Sequence, residues 1–196
     1  MAKTNRSAKD VITIVSGLPR SGTSMMMKIL DAGGIKVLTD NLRTADEDNP
    51  KGYYEFELVK EMKEKQEWLV SAKGKVVKVI SALLKDLSAD FNYKVIFMQR
   101  NMSEVLASQK KMLLPRGEPT NSISDEKMEK VFQNHLKQID KWMQSQENFE
   151  VLYVHYNKIL KDPEPYIQEI NSFMGNSLDL DKMRGVIDKR LYRNKA

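Results

Sequence analysis

The residues best suited to chemistry lie together in an eight-residue turn, GLPRSGTS, which begins at Gly17. Gly17 and Gly22 allow tight bending, so that several backbone N–H groups can point at one spot. Thr23 and Ser24 add hydroxyl donors, and Arg20 adds a positive charge. Because the positive end of the following helix attracts anions, the turn predicts a phosphate-binding site.

The turn differs from a Walker A loop in the position of its cation. A Walker A loop has Lys after its second glycine, where this chain has Thr23, and the cation here is Arg20. The third and fourth predicted strands end in Ile80-Ser81 and Met98-Gln99, without the carboxylate that holds Mg²⁺ in nucleotide triphosphatases. These features argue against an ordinary ATPase, GTPase or kinase, and they predict no metal site.

A second candidate site lies where the apolar run from Val95 becomes polar. Arg100 stands at that end, and Ser108 follows eight residues later. Arg suits a dianionic phosphate because its planar fork donates two hydrogen bonds at once. By itself, an Arg that ends a strand is more often part of a surface salt bridge, and a Ser within a helix is more often solvated.

Both sites together resemble those of the sulfotransferase family. The turn resembles the family's 5′-phosphosulfate loop, and Arg100 with Ser108 matches the spacing of its 3′-phosphate motif. Many members have Lys where Arg20 stands, whereas tyrosylprotein sulfotransferases and many bacterial members have Arg. The resemblance implies metal-independent transfer of a sulfonate from 3′-phosphoadenosine-5′-phosphosulfate (PAPS; product PAP) to a hydroxyl or amine. The donor-binding residues that it implies are Pro19, Arg20, Ser21, Gly22, Thr23, Ser24, Arg100 and Ser108.

The same resemblance implies that Arg20 and Asp40 are the catalytic residues. Arg20 would contact the sulfonate oxygens and stabilise charge on the departing phosphate, where charge grows in the transition state. Tyrosylprotein-type members have a Glu base after the second strand, and Asp40 is the nearest match here, shifted by about one position. Asp46, Glu47 and Glu55 are rivals for the base, and a helix-cap or loop role is the alternative for Asp40.

Three other polar features have weaker assignments. His135 is predicted at the edge of the core or on the surface, and His155, at a strand end, is predicted to make a structural hydrogen bond. The Arg-Lys-Gly segment with which cytosolic members hold the 3′-phosphate is absent. Arg184-Gly185 and the basic stretch Lys189–Arg193 are the candidates to replace it.

The elements that position these residues follow from hydrophobic patterning. Apolar, β-branched runs alternate with helical segments, which predicts an α/β fold with a mostly parallel sheet of about five strands and helices on both faces. Together with the resemblance, this arrangement implies a three-layer fold of P-loop type. Ligands bind beyond the carboxyl ends of such strands, where both motifs fall. The predicted strands are Val11–Ser16, Ile35–Leu38, Lys75–Ile80, Tyr93–Met98 and Glu150–His155. The predicted helices are Met25–Ala32, Tyr54–Leu69, Ser103–Leu113, Asp125–Glu147 and Pro165–Met174, with a short link or helix at Ser81–Asp86.

Length and composition limit the class of protein. The 196 residues suit a single domain, predicted at residues 11–196 after a flexible tail at 1–10. With 41% hydrophobic residues the chain is not disordered, and without Cys it has neither disulfides nor thiolate metal ligands. The net charge of +5 comes from the two ends: the central part carries 25 basic and 27 acidic residues, which argues against a nucleic-acid binder. The polar start and short apolar runs predict a cytoplasmic protein without a membrane span.

The predicted partners are the nucleotide donor and an acceptor that the sequence leaves open among small molecules, sugars and peptides. Oligomeric state is also left open. Two alternatives remain. A degenerate P-loop nucleotide kinase or triphosphatase predicts Mg²⁺-dependent binding of ATP or GTP. A non-catalytic nucleotide-binding interaction module predicts binding without turnover, or no binding.

Overall fold

The computed structural model describes residues 10–40, 54–113 and 124–187. Their centre is a four-stranded, all-parallel sheet in the order β2–β1–β3–β4. The strands are β1 (Val11–Gly17), β2 (Val76–Lys78), β3 (Asn92–Gln99) and β4 (Phe149–His155). The α-helices are α1 (Thr23–Ala32), α2 (Trp68–Ala72), α3 (Met102–Leu113), α4 (Asp125–Gln144), α5 (Tyr156–Lys161), α6 (Pro163–Phe173) and α7 (Leu180–Gly185), and 3-10 helices span Glu57–Glu61 and Ser81–Asp86.

Side chains of the sheet alternate between two apolar cores. In β3, for example, Val95 and Phe97 enter the core that includes α2 and α4, whereas Ile96 and Met98 enter the core that includes α1, α5, α6 and α7. A strand that is buried on both faces has apolar side chains on both, which explains the nearly continuous apolar runs in the sequence. The predicted α/β fold, a parallel sheet between two helical layers, is confirmed.

The strand register brings the carboxyl ends of three strands to one edge of the sheet. Gly17 at the end of β1 pairs with Met98, and Gln99 at the end of β3 pairs with His155 at the end of β4. The segments that follow these strands therefore start side by side. This edge carries the turn after β1 and the Arg100 motif after β3.

The predicted strand Ile35–Leu38 is reduced to an isolated bridge between Val37 and Val76. Backbone hydrogen bonds run from the Leu38 amide to the Val76 carbonyl and from the Val76 amide to the Lys36 carbonyl. Because β2 is only three residues long, it offers few backbone groups with which a further strand could pair at this edge. The sheet consequently has four strands where about five were predicted.

The predicted helix Tyr54–Leu69 is replaced by the 3-10 helix Glu57–Glu61 and the short helix α2. Val59 and Met62 are buried, but the next five residues, KEKQE, are polar. A continuous helix here would have no apolar stripe to pack against the sheet through more than one turn. The helical structure is therefore interrupted after the 3-10 helix, and α2 begins at Trp68.

Several predicted segments lie wholly or mostly outside the described residues: the tail at 1–10 apart from Asp10, the base candidates Asp46 and Glu47, and the stretch Lys189–Arg193. Among the helices that the structure describes, none combines the length and the apolar character needed to cross a bilayer.

Candidate active site

The turn after β1 is built around two glycines that close contacts require. Gly17 has φ 144°, and a Cβ there would lie 2.5 Å from Ser21 Oγ and 2.6 Å from the carbonyl oxygen of Met98. Gly22 has φ 100° and is the N-cap residue of α1, and a Cβ there would overlap the Tyr156 ring. The glycines therefore let the turn pack directly onto β3 and α5.

Helix α1 begins immediately after this turn. Its N-cap, Gly22, provides no side-chain hydrogen bond to the first amides, which have no partner within the helix. Thr23, buried, and Ser24, half-buried, bring hydroxyl groups to the same turn. The carbonyl of Pro19 accepts a hydrogen bond from Gln109 Nε2 at 3.4 Å, which links the outer part of the turn to α3. The predicted anion-binding groups are thus gathered at one helix terminus.

Arg20 joins the two predicted motifs. Its φ of 72° is unusual for a residue with a side chain, and such strained backbone clusters at functional sites. Arg20 Nε donates a hydrogen bond to Ser108 Oγ at 2.8 Å, and Arg100 Nη1 donates one to the Arg20 carbonyl at 3.0 Å. Residues that the sequence assigned to opposite ends of one nucleotide are therefore in direct contact.

Arg100 is held on three sides by other residues. Its side chain is 7% exposed, its Nε donates to Glu104 Oε2 at 2.8 Å, and its guanidinium lies 4.5 Å from the centre of the Tyr156 ring. Glu104 is 1% exposed, and its Oε1 accepts a hydrogen bond from Asn157 Nδ2 at 2.7 Å. Neither Glu104 nor Asn157 was predicted from the sequence as a functional residue. For Glu104, the available signal was its position four residues after Arg100, at the start of a helix.

Asp40 is held in place by the segment that contains Glu55 and Glu57. Its Oδ2 accepts a hydrogen bond from the Glu57 amide at 2.5 Å, and its own amide donates to the Glu55 carbonyl at 3.4 Å. The rival base Glu55 lies 3.7 Å from Lys78 Nζ. These bonds attach Asp40 to the start of the 3-10 helix Glu57–Glu61.

A cavity of about 380 Å³ lies beside the turn, at the carboxyl ends of β3 and β4. Ser21, Arg100, Lys137 and His155 line it together with apolar residues such as Leu18. Ser21 Oγ and His155 Nδ1 are buried and make no hydrogen bond within the described part of the chain. A buried polar atom without a partner costs about 1–3 kcal/mol, so these two atoms favour a bound polar molecule.

The structure also shows the surroundings of the two histidines, His155 and His135. Burial, followed by the charge of Lys158, lowers the pKa of His155, and the expected structural hydrogen bond is not made by its Nδ1 in the described residues. His135 Nε2 lies 2.9 Å from Ser81 Oγ, and burial and Lys85 lower its pKa as well. His135 is half-buried, in agreement with its predicted place at the edge of the core.

Arg184, a candidate to replace the missing basic segment, is bonded elsewhere. Its Nε and Nη2 donate to the two carboxylate oxygens of Glu164 at 2.6 and 2.8 Å, and its Nη1 donates to Asp181 at 2.5 Å. These contacts bind α6 to α7. They give Arg184 a structural role at the junction of the two helices.

Comparison with solved structures shows the same fold in two proteins of low sequence identity, and a weaker likeness to a third. Sulfotransferase STF1 from Mycobacterium tuberculosis H37Rv matches with a TM-score of 0.60 and 17% identity over 92% of this chain and 71% of that one. The sulfotransferase domain from the Synechococcus PCC 7002 olefin synthase matches with a TM-score of 0.53 and 13% identity over 100% and 86%. Mouse sulfotransferase SULT7A1, solved with PAP, has a TM-score of 0.48 and 15% identity over 97% and 68%. No curated protein sequence matches this chain.

The family model for the sulfotransferase domain matches residues 10–195, nearly the whole chain. The match includes the glycine turn, the Arg100 motif and all four strands of the sheet. It agrees with the fold and with the grouping of the predicted anion-binding residues at the carboxyl edge of the sheet. The chain therefore belongs to the sulfotransferase domain family and is a transferase.

Proposed function

We propose that this protein transfers a sulfonate from PAPS to a hydroxyl or amine acceptor, with arginine rather than a metal ion providing the cation at the reacting group. The contact of Arg20 with both Arg100 and Ser108 is the main support for the proposal. It joins a glycine turn suited to one phosphate and a strand-end arginine suited to another. A donor with anionic groups at both ends of a nucleoside fits such a pair of sites.

The residues of the turn fit the 5′ end of this donor. Gly17 and Gly22 let the turn pack closely against Met98 and the Tyr156 ring, and α1 begins immediately after the turn. Ser21 Oγ, buried without a partner in the described residues, can donate to a phosphate or sulfonate oxygen. Pro19 shapes the turn, and Thr23 and Ser24 contribute hydroxyl donors. When bound, PAPS supplies an activated sulfonate with a phosphate leaving group.

Arg100 and Ser108 are assigned to the 3′-phosphate, and Arg20 to the charge that develops during transfer. A guanidinium held by fixed partners can stabilise the departing phosphate without first reorganising. Arg20 meets this condition because its side chain is bonded to Ser108 and its carbonyl to Arg100. In this proposal residues 11–196 act as one domain, and the acceptor enters beside the turn.

Asp40 remains the predicted base that takes the acceptor proton. The Glu57 amide orients its carboxylate, and a positioned carboxylate can act as a general base. Asp40→Asn keeps the shape and removes this ability, so turnover should fall roughly a hundredfold while binding of adenosine 3′,5′-bisphosphate is unchanged. If the variant loses stability but keeps its turnover, Asp40 has the alternative role of a cap.

The first test of the proposal is thermal unfolding with adenosine 3′,5′-bisphosphate, compared with ATP and GTP in the presence of Mg²⁺. A ligand at one hundred times its dissociation constant adds about 2.7 kcal/mol to the free energy of unfolding. A rise in the midpoint with the bisphosphate alone supports the donor site, and a PAPS turnover assay follows. A rise only with Mg²⁺-ATP or Mg²⁺-GTP favours the kinase or triphosphatase. No turnover despite bisphosphate binding favours the non-catalytic module.

A further inference from the structure

Arg100 is part of a hydrogen-bonded chain that begins on helix α5. Asn157 Nδ2 donates to Glu104 Oε1 at 2.7 Å, and Arg100 Nε donates to Glu104 Oε2 at 2.8 Å. Arg100 Nη1 then donates to the Arg20 carbonyl at 3.0 Å. The chain crosses from the first turn of α5, after β4, to the glycine turn after β1.

Each member of this chain limits the movement of the next. Glu104 is almost fully buried, and a buried carboxylate requires partners that match its geometry. Arg100 has a fixed orientation because its Nε bonds to Glu104, its Nη1 bonds to the Arg20 carbonyl and its guanidinium lies over the Tyr156 ring. Groups held by such supporting bonds bind ligands better than groups that must be ordered on binding.

We propose that Glu104 and Asn157 are positioning residues that orient Arg100 for the 3′-phosphate, so that recognition of this phosphate depends on the start of α5 as well as on the end of β3. The inference rests on the proposed function, since it concerns the donor site. It predicts that a change at Asn157, in a different element from the Arg100 motif, alters selectivity for the 3′-phosphate.

Charge and geometry make opposite predictions for Glu104→Gln. If Glu104 only neutralised Arg100, the variant would leave a more positive site and bind the bisphosphate more tightly. If Glu104 orients Arg100, the Gln carbonyl can accept from Arg100 Nε, but the Gln NH₂ then faces the NH₂ of Asn157. The two donors repel each other, the chain is broken, and binding weakens.

The experiment measures the full chain's dissociation constants for adenosine 3′,5′-bisphosphate and adenosine 5′-monophosphate. Their ratio isolates the contribution of the 3′-phosphate, and a general loss of structure does not change it selectively. We expect Glu104→Gln and Glu104→Ala to lower this preference roughly tenfold, the usual effect of losing a charged hydrogen bond. Glu164→Gln, which alters another arginine–glutamate pair, is the matched control and should keep the wild-type ratio.

A double variant, Glu104→Gln with Asn157→Asp, gives a second and independent result. It restores a donor–acceptor match between the two side chains and retains the net charge, with the carboxylate moved to position 157. Recovery of at least part of the ratio supports the hydrogen-bonded chain. A ratio that stays at the level of Glu104→Gln, or a single variant that leaves the ratio unchanged or raises it, overturns the inference. Absence of any preference for the bisphosphate in the wild type instead overturns the proposed function.

Discussion

The pairs Arg100–Glu104 and Arg184–Glu164 have the same chemical groups and similar Nε-to-oxygen distances, 2.8 and 2.6 Å. The first pair is buried, with side chains 7% and 1% exposed, whereas the second is 37% and 43% exposed. Arg184 also donates two hydrogen bonds to one carboxylate, while Arg100 divides its named donors between Glu104 and the carbonyl of Arg20.

This difference shows that the geometry of an ion pair says little about its role. Exposed pairs are screened by solvent and contribute little, even with good distances. A buried pair depends on both members, because either charge left alone in the interior is costly. The buried pair contacts the glycine turn, so a change in this pair should alter both stability and ligand binding. A change at Arg184 should alter stability alone.

The largest effect is expected for Arg100→Ala. Removing the cation that bonds Glu104 should lower the free energy of unfolding by about 3–5 kcal/mol, measured by urea denaturation, and should abolish bisphosphate binding. Replacing both residues, with Arg100→Met and Glu104→Leu, removes both charges and should restore most of the stability but none of the binding. If Arg100→Ala costs less than about 1 kcal/mol, the pair behaves like an exposed one.

Gly22→Ala should produce the next largest effect. It forces a side chain into φ 100° and forces the Tyr156 ring to move, and each of these changes costs about 1–3 kcal/mol. Gly34→Ala is the matched control, because Gly34 has φ 101° and no atom within 4 Å of the added Cβ. Thermal unfolding of both variants compares them. Equal losses would show that the contact with Tyr156 has no importance for the turn.

Ser108→Ala removes the acceptor of the Arg20 Nε hydrogen bond. We expect bisphosphate binding to weaken by about 1–2 kcal/mol, because both the contact with Arg20 and the predicted contact with the 3′-phosphate are lost. Ser103→Ala, at an exposed position of the same helix, should bind like the wild type in isothermal titration calorimetry. Equal affinities of the two variants would remove Ser108 from the donor site.

The smallest effect is expected for Glu164→Gln, which tests the exposed pair. Hydrogen bonds from Arg184 and then Gln168 lower the pKa of Glu164 from 4.5 to about 2. A lowered carboxyl pKa stabilises the fold above the unfolded-state pKa, and this contribution is lost as the pH falls from 4.5 toward 2. The melting midpoint of the variant should therefore lie slightly below that of the wild type at pH 7 and meet it near pH 2. A large loss at pH 7 would contradict the comparison.

The sequence predicted those parts of the site that local patterns encode. The glycine turn, the strand-end Arg100 and Ser108 eight residues later each depend on short spacings, and the structure brings them together. Asn157 was missed because it meets Glu104 only through the pairing of β3 with β4. The split of the predicted helix Tyr54–Leu69 was missed because periodicity over single turns resembles that of a continuous helix.

The parallel order of the sheet has a consequence for how the protein folds. The hydrogen bonds that link Arg20 to Ser108 and Arg100 span 88 and 80 residues, and the bond between Asn157 and Glu104 spans 53. Contacts between distant parts of the chain are formed at a high entropic cost, and chains rich in such pairings fold slowly. No single segment contains the candidate site, so it should be among the last regions to form during refolding.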